Sequence, residues 1–369
     1  MDSERPLEAP RPRSLRSAAY ADDRPFVRRL LLLMLAAALA FAAWKLSDVI
    51  LLVFGAILLA ILLRGLARTV GRWIHIPAAW AVLPVVASML AAFAAIAWLF
   101  GSQVAMQFDV LAQNLPQSAA RLLREIRANS WGAWMLDYAA GMDLSGATQP
   151  MAGSIADFLG SAFRAVAYLA VLAFSAVYLA ARPEGYRMGL LRLVPAVHRA
   201  RIDEMLALIE STLLRWLVGQ SVTMAVVGIF TGTGLWLLGV GAPVALGLIA
   251  GMLAFVPYAG PVLSSAPGLL MAATQGPRLT LYALALYVTV HFIEGNLITP
   301  FVQNRAVELL PVLTLVSTLV FGILFGTIGV FLAAPLTLLF LVVVNAMYLE
   351  DVLGEPRIWP PIHEGTVDG

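Results

Sequence analysis

His291 and Glu294 lie three residues apart in the string His291-Phe292-Ile293-Glu294-Gly295-Asn296-Leu297-Ile298-Thr299-Pro300, after 12 uncharged residues. At helical spacing they share one face. A carboxyl that can bind and release a proton, beside an imidazole that titrates near neutrality, is a candidate proton site, and Asn296 adds an amide for a solute or ion. The alternative is an interfacial pair that ends a helix. A metal centre is not expected, because His-x-x-Glu is not His-Glu-x-x-His and no second histidine lies near.

A second candidate lies upstream. Residues 216–277 hold no charged side chain in 62 positions, yet they contain Pro257-Tyr258-Ala259-Gly260-Pro261, then Ser264, Ser265, Pro267 and Gly268. Each proline removes a donor and clashes with the preceding turn. The carbonyls of residues 253, 257 and 263 should therefore lose their helical partners and turn to protein, water or a ligand. This makes Pro257, Tyr258, Gly260, Pro261 and Ser264 a candidate substrate or ion pathway, with a packing kink as the alternative. A third feature is the glycine series Gly322, Gly326 and Gly329, followed by Pro335. It suits either a close packing seam or a hinge.

These residues need a membrane around them. Hydrophobic residues make up 61% of the 369 positions and charged residues 12%, about half the share of a soluble chain. The polarity is too low to coat a water-facing surface. The formal charge is +2 and basic residues fall in small groups, so a nucleic-acid partner is not expected. Lys45 is the sole lysine and no Gly-Lys pair exists, which excludes a GxxxxGK phosphate loop. Without cysteine there is no disulfide or thiolate chemistry. No intramembrane nucleophile–base pair is apparent, so an enzyme is not expected, and nothing asks for a cofactor.

The expected fold is an all-α polytopic membrane protein of about eight transmembrane helices, with a proline-broken sixth segment and a long last segment. Residues 1–29, with seven arginines, read as a disordered cytoplasmic tail. Residues 30–100 carry helices 1–3. The Lys45-Leu46-Ser47-Asp48 break is expected to be a tight turn between two spans, since one long bent helix would hold both charges in the membrane. An amphipathic helical insert covers 101–160, where Val104, Phe108, Leu111 and Leu115 make one stripe and Pro116 restarts a helix. Helix 4 covers 161–181 and a cytoplasmic amphipathic helix 182–216. Helices 5–8 occupy 217–349, and 350–369 form an acidic tail. The last apolar run is twice the length of a span, so it is one long tilted helix or a re-entrant hairpin plus a span. Arginine asymmetry places the N-terminus in the cytoplasm. In strict alternation the tail, the 64–78 and 182–215 loops and the 275–278 turn share that side. Gln220, a lone amide, reads as satisfied packing.

With these residues in place, the chain resembles the AI-2E transporter family (PerM-like, UPF0118). The likeness rests on Leu217-Val218-Gly219-Gln220, Phe255-Val256-Pro257-Tyr258-Ala259-Gly260-Pro261, Glu294 to Pro300, Pro311, Phe325-Gly326-Thr327-Ile328-Gly329 and Ala334-Pro335. It covers about residues 25–350. The resemblance implies an eight-span protein of the bacterial inner membrane that exports a small hydrophilic solute, autoinducer-2 among them. It also implies a homo-oligomer, a pentamer in particular, in contact with membrane lipid. Some members are assigned sodium/proton antiport, so a monovalent cation/proton antiporter stays open, as does a non-transporting scaffold.

Overall fold

A computed structural model describes residues 30–31, 33–35, 38, 41–42, 44–74, 77–128, 155–298 and 310–350. The arginine tail, the latter part of the insert, the segment 299–309 and the acidic tail lie outside the described residues. The chain divides into two compact units, Met1–Ile50 and Leu51–Gly369. In the first, the described residues are helical up to Ile50, and helical bonding passes the charged break. Leu46 N–H donates to the Ala42 carbonyl (2.9 Å) and Ile50 N–H to that of Leu46 (3.0 Å). The expected tight turn is absent here. Lys45 and Asp48 are three residues apart, so this helix carries both on one face, and neither is covered by protein.

The described residues of the second unit form helices joined by short turns. Its helices are α1 (Ser47–Ile74, which begins in the first unit), α2 (Ala78–Ala128), α3 (Ile155–Ala181), α4 (Pro183–Arg192), α5 (Arg199–Leu238), α6 (Pro243–Leu253), α7 (Ala259–Gln275), α8 (Pro277–Ile293) and α9 (Pro311–Val344). Proline opens α4, α6, α8 and α9, where its missing donor costs nothing and its fixed φ favours the first turn. Runs at Ser47–Arg72, Ala196–Leu238, Pro277–Ile298 and Pro311–Tyr348 are long and apolar enough to cross a membrane, and shorter apolar helices lie at Trp80–Ala91, Ala167–Ala181 and Pro243–Leu253. The protein is a polytopic membrane protein.

Helix α2 does not stop near residue 100. It runs for 51 residues, through Pro116, and carries the first part of the expected insert as its own continuation. The carbonyl that Pro116 leaves without a partner belongs to Ala112, an exposed residue. Of the predicted stripe, Leu111 is buried, in a cluster with Leu235, Leu246, Met271 and Tyr287.

Helix α5 is the spine of the unit. It ends at Gly239, whose left-handed φ of 76° lets Val240 N–H reach the Leu235 carbonyl and Gly239 N–H that of Trp236. Helix α6 then folds straight back along it. Gly228 and Gly232 of α5 face Gly247 and Gly251 of α6, and a Cβ at Gly247 would sit 2.7 Å from the Gly232 Cα. Small residues four apart on both helices allow this backbone-to-backbone approach.

The sixth apolar segment breaks at its prolines, as expected, but forms a hairpin instead of one kinked span. At its open end, Gln275, with its amide oriented to suit both groups, donates to the Gly239 carbonyl (3.0 Å) and accepts from Gly241 N–H (2.9 Å). Ala245 and Leu246 of α6 share a cluster with Met271 and Ala272 of α7. Residues 254–258 form the tip. The 275–278 turn therefore lies at the C-terminal end of α5, away from the 182–201 stretch at its N-terminal end. This corrects the strict alternation, which had put the two on one side.

The last apolar segment folds back as well. Gly326 has φ 64° and ψ −148°, outside the helical region. On either side of it a Cβ at Gly322 would meet Val330 at 2.9 Å, and a Cβ at Gly329 would strike the Phe321 carbonyl. Residues eight apart lie about 12 Å apart in a straight helix, so α9 is two arms. The second arm returns along the N-terminal half of α5. Ala334 and Leu338 pack on Leu213, Trp216 and Leu217. Further along, Arg201 donates to the Ala346 carbonyl (3.0 Å) and to Glu350 (2.7 Å).

Candidate functional site

The two hairpins meet halfway along α5. Gln220 donates to the Ala254 carbonyl at the first tip (2.6 Å), which bears out the reading of this amide as satisfied packing. The next residue, Phe255, sets its ring edge-on to Trp216 (centroids 5.6 Å apart) and stacks on Phe331 of the second hairpin (6.2 Å). The three rings link α5 to both hairpins.

Five residues of the tip were singled out from sequence. Tyr258 adopts φ 63° and ψ −42°, a conformation that a non-glycine residue rarely holds. Such backbone costs about 1–3 kcal/mol and persists where the surroundings enforce it. The residue is 46% exposed, so burial is not what holds it there. Gly260 is buried against the Leu253 carbonyl, with no room for a side chain. Pro257 and Pro261 flank the reversal and are half-buried. Ser264 is buried, and its hydroxyl donates to the Pro261 carbonyl (3.1 Å).

Two of the three carbonyls expected to be left open are bonded. Val256 N–H donates to Leu253 (3.0 Å) and Ala259 N–H to Pro257 (2.7 Å). A turn of this kind supplies its own donors, which a kinked helix does not. The polar groups left for a ligand at the tip are thus chiefly side chains.

Helix α8 carries the other candidates. His291 Nδ1 and Glu294 Oε2 are 2.8 Å apart, with side chains only 16% and 13% exposed. The shared face predicted from their spacing is present. At Glu294 the helix widens into a π-helical turn, Glu294–Ile298. Such turns often mark functional sites. Asn296 is exposed and donates to the Phe292 carbonyl (2.9 Å). Tyr287, one turn before His291, stacks on its ring (6.3 Å). The Tyr287 hydroxyl and His291 Nε2 are buried and have no protein partner among the described residues.

The two candidate groups are neighbours. Ala254 at the tip and Val290 on α8 share a cluster with Val227 and Ala250. Gly268 of α7 touches Tyr287 of α8. Because α7 and α8 run in opposite directions from the Gly276 turn, one helical turn on from this contact sets Ser264 at the height of His291. Another sets Pro261 near the height of Glu294. Gly322 and Gly329 are close-approach positions between the arms of the second hairpin, Gly326 is its turn, and Pro335 is buried in its second arm.

Sequence reading missed three participants. Tyr287 gave no signal beyond an aromatic in an apolar helix. The Gly228–Gly232 and Gly247–Gly251 pairs were visible as GxxxG spacings. Gln107, far away on α2, accepts from Val244 N–H (2.9 Å) and Ala245 N–H (3.1 Å), and so caps α6.

A family model described as "AI-2E family transporter" matches residues 30–349. Among individual proteins, the chain is similar to YrrI of Bacillus subtilis (strain 168), at 30% identity over 46% of this chain and 48% of that protein, so it spans about half of YrrI. It is similar to YueF of the same organism at 23% identity, over 75% of this chain and 78% of YueF. Both are named "putative transport protein". The AI-2 transport protein TqsA of Escherichia coli (strain K12) is 28% identical over 31% of this chain and 34% of TqsA. A match over most of the chain, on a fold whose broken segments fall where the motifs lie, settles membership: this chain belongs to the AI-2E family of transporters.

Proposed function

We propose that the protein is a gradient-driven secondary transporter that exports a small hydrophilic solute, of the autoinducer-2 kind, across the bacterial inner membrane. The observation that carries this reading is the first hairpin tip. Strained, half-exposed Tyr258 stands at mid-depth of the bundle, with the part-buried His291–Glu294 pair on the neighbouring helix. A break in a spanning segment, in register with an intramembrane acid, is how many secondary transporters build a midplane site. Tyr258 and Asn296 offer hydrogen bonds to the solute, Ser264 supports the tip, and Glu294 holds the coupling proton or tunes the site. The working unit is a homo-oligomer, a pentamer by family resemblance, with the N-terminus in the cytoplasm.

The test is solute flux into liposomes that hold the purified protein under an imposed proton or sodium gradient. Wild type should carry a small polar solute, and Glu294→Gln should slow it by about tenfold, the scale of one lost charge-assisted hydrogen bond. Absence of wild-type flux under every gradient would sink the reading.

The part-buried His291–Glu294 pair also favours a second reading, exchange of a monovalent cation for protons on Glu294. Glu294→Gln should then abolish salt-driven pH change in vesicles. Normal exchange by this variant rules that reading out.

A further inference from the structure

Away from the hairpins, a cavity of about 610 Å³ opens between α1, the end of α3, α4 and the start of α5. Its lining is graded. Ile57, Ile61 and Leu179 line it where apolar α1 and α3 reach their ends, and Leu206 and Ile209 add the apolar face of α5. Along α1 the charged Arg64 and Arg68 follow Ile57 and Ile61, on α5 Asp203 and Glu210 bracket Leu206 and Ile209, and Glu184 and Arg187 of α4 complete the lining. Arg64 is the first charge in α1 after Asp48, at the end of an apolar run that starts at Val49. The cavity therefore straddles the level at which hydrocarbon gives way to headgroups. Exposed Tyr186, Met188 and Leu193, at 54%, 56% and 82%, place α4 and its following loop at the same boundary.

The arginines differ in how far they are used. Arg68 pairs with Glu210 at 2.5 Å. Arg187 donates twice to Asp203, to a carboxylate oxygen (2.5 Å) and to the carbonyl (2.8 Å). Among the described residues Arg64 has one polar partner, Glu184, at 3.4 Å. Its side chain is 21% exposed, whereas that of Glu184 is 83% exposed and can move into water at little cost. A guanidinium carries five donors in a planar fork that matches phosphate oxygens two at a time. A mostly buried fork with one long contact, above an apolar floor, fits a molecule with a phosphate at one end and hydrocarbon at the other.

We propose that this cavity is a binding site for a membrane phospholipid. The phosphate takes the fork of Arg64 in place of Glu184, and one acyl chain lies along Ile57, Ile61 and Leu179. The site is separate from the solute pathway and tied to no reading of it.

The test uses the full chain in dodecyl maltoside, which brings no phosphate. The probe is phosphatidylglycerol with a photoactivatable diazirine in one acyl chain, and cross-linked peptides are mapped by mass spectrometry. Labelling should fall on the α1 and α3 peptides that line the cavity. Arg64→Gln should lower it by about tenfold, and Arg192→Gln, outside the cavity, should leave it unchanged. Should Arg64→Gln fail to fold, Ile61→Trp, which fills the apolar floor, should remove the same label. A diacylglycerol with the same diazirine chain should label these peptides about tenfold less, since it lacks the phosphate. Equal labelling by the diacylglycerol, or full labelling of a folded Arg64→Gln, overturns the proposal. Displacement by excess inorganic phosphate would make this a free-phosphate site and overturn the lipid assignment. The readout is binding, so a loss of solute flux leaves it unaffected.

Discussion

Gly268 of α7 lies against the ring of Tyr287 of α8, and a Cβ at Gly268 would fall 2.6 Å from Cε2 and 2.7 Å from Cζ. Gly268→Ala must push the two helices apart. Overpacking of this kind costs about 1–3 kcal/mol. The variant should melt earlier in detergent and carry less solute, because the same helix pair sets the heights of Ser264 and His291. An unchanged melting temperature would show that the pair is loosely held.

The hydroxyl of Tyr287 allows a cleaner test. It is buried without a protein partner among the described residues, and leaving such a group unpaired costs about 1–3 kcal/mol. Tyr287→Phe should therefore hold or raise the melting temperature. Lower flux in this more stable protein would show that the hydroxyl serves a passing solute or proton. Unchanged flux would make it a packing residue alone.

Tyr258→Gly separates strain from use. Glycine adopts φ 63° freely, so the variant should gain stability of the order of 1 kcal/mol. It should also lose flux if the phenol holds solute. A variant that is both more stable and fully active would remove Tyr258 from the pathway.

Gly326→Ala has the opposite sign. The φ 64°, ψ −148° turn is in a region essentially reserved for glycine, and forcing alanine into it costs about 1–3 kcal/mol. The second hairpin should loosen, and proteolysis near residue 326 should accelerate. Equal protease resistance in both proteins would argue against a fixed reversal there.

Gln107 can be tested by a pair of substitutions. Gln107→Ala leaves the first N–H groups of α6 without their acceptor and should cost about 1 kcal/mol. Gln107→Glu keeps an acceptor at the positive end of the helix and should avoid that loss. Thermal melting of the two variants decides the matter.

Much of this was legible before any coordinates. Three prolines in eleven residues foretold the break at 254–258, and three-residue spacing foretold the His291–Glu294 pair. What spacing could not give was direction. Pro257 and Pro261 show that a helix stops, not whether the chain goes on or turns back. That is decided by Tyr258 at positive φ and by Gly260 pressed on the Leu253 carbonyl, both products of tertiary packing. The Gly322–Gly329 series read as a seam or a hinge, and the structure divides it between a turn and two close approaches within one hairpin. Gln107 was beyond reach, since its partners are 137 and 138 residues away.

The joined mouth of the first hairpin, where Gln275 bonds Gly239 and Gly241, bears on how topology is mapped. A reporter fused after Glu350 sits beside Arg201, on the side that a simple count of eight crossings also gives. Two folded-back segments cancel in the tally, so agreement at the carboxyl end is uninformative. Only a tag or labelling site beside Arg278 tells the two layouts apart.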